Sequence, residues 1–140
     1  MAAMTAPKAP ETPARDGGAG ARAPAGAPGL APLRRRADFL ALNRARRQMM
    51  PGMVVQGRPR GDGRALIRVG LTCSRRLGNA VTRNRAKRRL REVARLVLPV
   101  CGRPGWDYAL IGRPGATATR DFRALSDDLR QALRRLHGAP

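Results

Sequence analysis

Histidine is nearly absent from this 140-residue chain, with His137 its single example. Acids are scarce too, nine against 29 lysines and arginines, so the formal charge is +20. These two shortages exclude most protein-based catalysis. No histidine stands beside a serine or cysteine that it could activate, and the folded part has few carboxylates for a two-metal site. Asp127 and Asp128 are adjacent on a predicted helix, where neighbours point about 100° apart, so one of them is expected to face solvent. His137 is expected to decorate a helix end. Cys73 and Cys101, the two cysteines, make neither a metal pattern nor a disulfide framework. Cys73 reads as a small buried residue on the apolar side of a strand. No apolar run approaches the roughly 20 residues that span a bilayer. Without a signal peptide, the cytoplasm is the expected compartment, with no membrane role.

What is abundant is arginine. Of the 29 basic residues only Lys8 and Lys87 are lysines. Arginine's planar fork pairs with two phosphate oxygens and stacks on bases. An arginine-rich genome can explain Arg over Lys, but not the excess of base over acid. A polyanionic partner is expected.

Residues 1–32 form a separate zone in which Ala, Pro and Gly supply 22 of the 32 positions and no aromatic occurs. Such a segment buries too little to offset its ordering entropy, so it reads as a disordered extension. A single domain is then expected over residues 33–140. A short helix near Asp38 to Arg47 follows, with Asp38 as its N-cap and Phe39 and Leu42 facing inward. Met53 to Gln56 and Ala65 to Ser74 read as strands around a polar turn. In the longer one Ile67, Val69, Leu71 and Cys73 alternate with Arg68, Gly70 and Thr72. The first set is expected to face the core and the second to leave a partly polar face, open to close approach at Gly70.

The stretch from Arg68 to Arg91 is the most informative. It reads as a strand, a glycine-marked turn and a helix from Ala80 to Leu98, with Asn79 as N-cap and Pro99 as stop. From Arg75 to Arg95 nine of 21 residues are basic, and Glu92 is the one acid. Ala86, Leu90, Val93, Ala94 and Val97 form an apolar stripe, while Asn84, Arg88, Arg91 and Arg95 lie on the far side. The helix therefore buries its later turns and presents its first turns, with their positive dipole end, to something negative. A strand at Asp107 to Gly112 and a last helix from Thr119 to His137, with Thr119 as its cap, complete an α+β sandwich.

At this strand, turn and helix the sequence resembles the protein subunit of bacterial ribonuclease P. The residues are Arg68-Val69-Gly70, Ser74-Arg75-Arg76, Gly78-Asn79-Ala80-Val81, Arg83-Asn84-Arg85, Lys87-Arg88 and Arg91. A weaker likeness runs from Leu33 to about Leu136. The resemblance implies an α-β sandwich of order αβββαβα with a left-handed βαβ crossover, which handedness rules do not suggest. It also implies an extra short strand near Arg47 to Met50. It implies a function of assisting a catalytic RNA that removes the 5′ leader of precursor tRNA. The partners are then the ribonuclease P RNA and precursor tRNA, with no stable protein partner required. The cofactor is Mg, held mainly by the RNA, and no catalytic or metal-ligating residue is expected in the protein.

Carried onto this chain, the RNA-facing residues are Arg68, Arg75, Arg76, Asn79, Arg83, Asn84, Arg85, Lys87, Arg88 and Arg91. The family's leader cleft lies between the first helix and the sheet. Phe39 fits its wall, as a stacking platform or as core. Where some members carry a further aromatic on the helix and a tyrosine on the strand, this chain has Asn43 and Gln56. Two rival readings share the charge. One is a general RNA-binding protein, such as a ribosomal protein or RNA chaperone. The other is a DNA-binding module with Ala80 to Leu98 as recognition helix, which the strand preceding that helix argues against.

Overall fold

The alternation along the longer strand sets the layering of the molecule. The computed structural model describes residues 29–138, and residues 1–28 of the extension expected over 1–32 lie outside them. In chain order the elements are β1 (Leu30–Pro32), α1 (Arg36–Leu42), β2 (Arg46–Met49), β3 (Met53–Pro59) and β4 (Ile67–Thr72). A 3-10 turn at Arg75–Leu77 then leads into α2 (Ala80–Cys101), β5 (Trp106–Gly112) and α3 (Phe122–His137). The α+β class expected from the sequence is the class observed.

The strands form one mixed sheet in the order β1-β4-β5-β3-β2. β4 runs parallel to both β1 and β5, while β3 is antiparallel to β5 and to β2. β4, α2 and β5 thus make the βαβ unit implied by the family resemblance, with its two strands adjacent. The extra strand expected near Arg47 to Met50 is β2.

One face of the sheet carries Met53, Val55, Ile67, Tyr108 and Leu110, with Val69 and Leu71 packed beside them. It is covered by Leu90, Val93, Ala94 and Val97 of α2 and by Leu125, Leu129 and Leu133 of α3. The other face is covered by α1 alone, through Leu33, Leu42 and Ala109 with Phe39 and Ala45 against them. A seven-residue helix cannot span a five-stranded sheet. Met49, Val54, Ile111 and Thr72 are successive register partners across four strands on that face. The two ends of this row, Met49 and Thr72, are exposed.

Several expectations are corrected. The domain begins before Leu33, because Leu30–Pro32 pairs with β4 and the Ile67 amide donates to the Gly29 carbonyl at 2.9 Å. The order αβββαβα is observed, with β1 added ahead of it. A three-residue edge strand has no periodicity to read, and its Gly-Leu-Ala-Pro sequence blends into the Pro-rich zone. Pro99 does not stop α2, which continues to Cys101. Proline in the last turn removes one intrahelical bond, and the Gly102 amide closes the end on the Leu98 carbonyl at 2.8 Å.

The first and last helices also start elsewhere than expected. α1 begins at Arg36 with no side-chain cap, and Asp38 lies in its first turn. It ends at Leu42, since Arg46 and Arg47 belong to β2. α3 begins at Phe122 with Asp121 as its cap, accepting from the Ala124 amide at 3.1 Å. Thr119 instead donates to the Gly115 carbonyl within the preceding turn.

Candidate nucleic-acid interface

The basic turn is pinned from below. Leu77 is buried and packs with Ala86, Ala118 and Cys73, so its neighbours Arg75 and Arg76 are held out into solvent. The Ser74 hydroxyl accepts from the Arg76 amide at 3.3 Å. Gly78 then takes φ 135°, where a Cβ would also meet Thr82 at 3.2 Å. Only glycine makes this reversal without strain. Asn79 follows as the N-cap, its side-chain oxygen accepting from the Thr82 amide at 2.9 Å. The polypeptide thus passes from strand to helix in a few fixed residues.

On α2 the apolar stripe expected from the sequence is buried. Asn84, Arg85, Arg88 and Arg91 are exposed, and Arg83 and Lys87 half-buried. The first turn holds no acid, and Glu92 is paired with Arg95. Cys73 lies at the strand end beneath this charge. Burial pushes its thiol above the ordinary range, and the nearby charges of Lys87 and Arg91 oppose that.

The arginines of this region divide by what they touch. Arg85 donates to the Ala118 carbonyl at 3.1 Å. Arg89, which the sequence reading had not singled out, donates to the carbonyls of Thr117 and Arg120 and lies over the Phe122 ring. These two hold the loop between β5 and α3 against the helix. Arg83 reaches back to the Gly78 carbonyl at 3.2 Å. Arg75, Arg76, Lys87, Arg88 and Arg91 make no such intramolecular side-chain bond among the described residues, and all but the half-buried Lys87 are exposed.

Arg68 is placed differently from the rest. Its guanidinium grips Asp107 in two-pronged fashion, at 2.8 and 2.7 Å, and reaches Asp38 of α1 at 3.2 Å. Asp107 is wholly buried and also accepts from Arg60 at 3.1 Å, with Arg58 at 4.0 Å. The hydrogen bond to Asp107 holds the Arg68 guanidinium above its ordinary pKa. Arg68 therefore ties α1 to the sheet, with three of its five N–H donors engaged by carboxylates. Pairing across 39 residues of sequence leaves no local signal.

Of the cleft candidates, Phe39 is half-buried, its ring lying where a Gly70 Cβ would stand 2.3 Å from it. It is at once packed on the sheet and open on one side. Asn43 caps the C-terminal end of α1 and is exposed. Gln56 is only 3% exposed, registered between Arg47 and Ala109, and offers a ligand almost no surface.

The acids do not gather. Among the described residues no group of three His, Cys, Asp or Glu side chains could hold a metal ion. Asp127 faces solvent and pairs with Arg130, as its position suggested. Asp128 is buried, accepting from Arg120 at 2.7 Å and from the Gly52 amide at 3.0 Å. His137 does more than end a helix. Its ring meets Trp106 edge-on at 4.3 Å, and its Nε2 lies 2.6 Å from the Tyr108 hydroxyl.

The family model described as Ribonuclease P matches residues 28–137. The chain belongs to the ribonuclease P protein family. It is 66% identical over 110 residues to the ribonuclease P protein component of Ruegeria pomeroyi, covering 78% of this chain and 88% of that one. It is 48% identical over 101 residues to that of Caulobacter vibrioides, covering 72% and 67%. Among solved structures, the RNase P protein from Thermotoga maritima superposes with a TM-score of 0.64 at 29% identity, covering 76% of this chain and 97% of that one. The Staphylococcus aureus RNase P protein, at 24% identity and a TM-score of 0.62 over 76% and 94%, shares the fold. The start of the ribonuclease P match at residue 28 agrees with β1 belonging to the domain.

Proposed function

We propose that this chain is the protein subunit of a ribonuclease P holoenzyme, binding a catalytic RNA through α2 and its preceding turn and assisting removal of the 5′ leader from precursor tRNA. The observation that carries this reading is the set of unengaged cations Arg75, Arg76, Lys87, Arg88 and Arg91 on α2 and the turn before it. It lacks acid partners and belongs to a chain of this family. Unengaged guanidiniums, two of them on the turn that leads into the helix N-terminus, favour phosphate oxygens. Neutralising about five phosphates of single-stranded RNA gives a salt dependence of log affinity near −0.7 per contact.

The half-covered sheet face beside α1 suits a single-stranded leader. Phe39 is half-buried, and stacking a base on its ring is worth roughly 1–3 kcal/mol. With Asn43 polar and Gln56 buried, Phe39 is the only one of the three candidates able to stack. Among the described residues the carboxylates do not gather into a Mg site. The two most buried acids, Asp107 and Asp128, are already engaged by guanidiniums. The ion's ligands in this reading come from RNA, and hydrolysis is carried out there. The compartment is the cytoplasm, where precursor tRNA is made.

A competition assay tests the reading against its rivals. Leader-bearing precursor tRNA is expected to compete more strongly than mature tRNA, and both more strongly than duplex DNA. Equal competition by leader-bearing and mature tRNA favours a general RNA binder.

A further inference from the structure

The far end of α2 carries a second basic surface that the reading above does not use. Where α2 and α3 both end, a cleft of about 320 Å³ is lined by Cys101, Arg103, Arg130, Leu133, Arg134 and His137. Its three arginines are all exposed. Within the cleft lining there is no acid. The nearest compensation is Asp127, which pairs with Arg130 at 2.9 Å and is itself exposed. Three guanidiniums around one concavity repel one another, and an anion seated among them relieves that repulsion.

Arginine at a helix C-terminus has an ordinary role, serving the last carbonyls and opposing the negative dipole end. Here that role is already filled. Arg46 donates to the Leu136 carbonyl and one Arg103 nitrogen to the His137 carbonyl, at 3.4 and 3.1 Å. Arg130 and Arg134 lie one to two turns earlier, and neither side chain touches those carbonyls. Arg130 is held only by the exposed Asp127, and the Arg134 side chain makes no hydrogen bond or ion pair among the described residues.

We propose that this cleft is a second phosphate-binding site, which takes a backbone phosphate of RNA. It rests on the reading of the chain as an RNA-binding protein, but not on the α2 face. At 1.5 Å per residue, the end of α2 at Cys101 lies about 15 Å along the helix axis from Arg91, the nearest member of the α2 surface. A single phosphate contact cannot bridge that distance, so the two surfaces grip separate stretches of RNA. The cavity has room for a phosphate with its ribose, and Leu133 gives the sugar an apolar floor. The protein thereby holds a folded RNA at both ends of one rigid helix.

Trp106 is the only tryptophan, and its ring touches that of His137 in the cleft wall. Its fluorescence is therefore a local reporter. The test uses the full chain, a short single-stranded oligoribonucleotide and a ribonuclease P RNA. Three proteins are compared: the wild type, Arg130→Gln with Arg134→Gln, and Arg88→Ala with Arg91→Ala.

The oligoribonucleotide is expected to give a saturable Trp106 change in the wild type and in the Arg88/Arg91 variant, and none in the Arg130/Arg134 variant. Removing Arg130 and Arg134 is also expected to lessen the salt slope for the large RNA by about 0.7, the loss of one phosphate contact. If the Arg130/Arg134 variant keeps both the Trp106 change and the wild-type slope, the cleft is not a site, while a loss in the Arg88/Arg91 variant leaves the α2 face standing. If neither variant alters binding of the large RNA, both assignments fall.

Discussion

The Phe39 ring occupies the volume that a side chain at Gly70 would need, with a Cβ there falling 2.3 Å from the ring edge. The absence of a side chain on β4 thus sets how closely α1 approaches the sheet. Gly70→Ala is expected to drive the ring outward and to cost about 1–3 kcal/mol, the usual penalty for overpacking. Urea unfolding measures the loss. The same variant should weaken binding of leader-bearing tRNA more than of mature tRNA, because the displaced ring is the stacking platform. An unchanged ratio of the two affinities would detach Phe39 from leader recognition.

Arg68 and Asp107 join β4 to β5, and Asp38 extends the pair to α1. Removing one partner of a buried pair leaves the other charge uncompensated. Asp107→Ala strands Arg60 and Arg68 together and is expected to cost about 3 kcal/mol, near the low end of that range, because the Arg68 side chain is a quarter exposed. Arg68→Ala leaves Asp107 with Arg60 and should cost less. Chemical denaturation of both variants gives the order, and equal losses would contradict it.

Much of this architecture is legible in the sequence. The alternation of Ile67, Val69 and Leu71, and the helical stripe from Ala86 to Val97, announce the two elements that carry the positive surface. Asn79 reads correctly as a cap because capping is a local matter of one side chain and an amide three residues on. What is not legible depends on distant partners. Arg68 looks like its basic neighbours until Asp107 is brought beside it. Gln56 looks available until β2 and β5 close around it. β1 is too short to have a period, and Pro99 stops nothing because it falls where a helix needs few further bonds.

Asn79 separates stability from charge. Asn79→Ala removes the cap and is expected to cost about 1 kcal/mol. Asn79→Asp keeps an acceptor for the Thr82 amide, and so preserves stability, but sets a negative charge beside the phosphate-facing turn. RNA affinity is expected to fall in Asn79→Asp without a fall in melting temperature. Full affinity in that variant would place the RNA away from the start of α2.

His137 predicts a pH dependence. Burial, with a smaller effect from the Arg103 charge, lowers its pKa from 6.5 to about 4. The unfolded chain therefore takes up a proton at a higher pH than the folded one. The contribution to stability is complete above about pH 6.5 and is lost as pH falls toward 4. Comparison of wild type with His137→Gln isolates it from the carboxylates. The gap between their unfolding midpoints should narrow as pH falls through this window, and a constant gap would contradict the burial of the neutral ring.

The central claim is that the α2 surface joins this protein to a catalytic RNA. Single-turnover cleavage of a leader-bearing precursor tRNA by a bacterial ribonuclease P RNA at low magnesium tests it most directly. The wild-type chain should restore cleavage at the leader junction and have no activity alone. Arg88→Ala with Arg91→Ala should keep the fold by circular dichroism and lose most of the rescue. Full rescue by the folded variant would contradict the account.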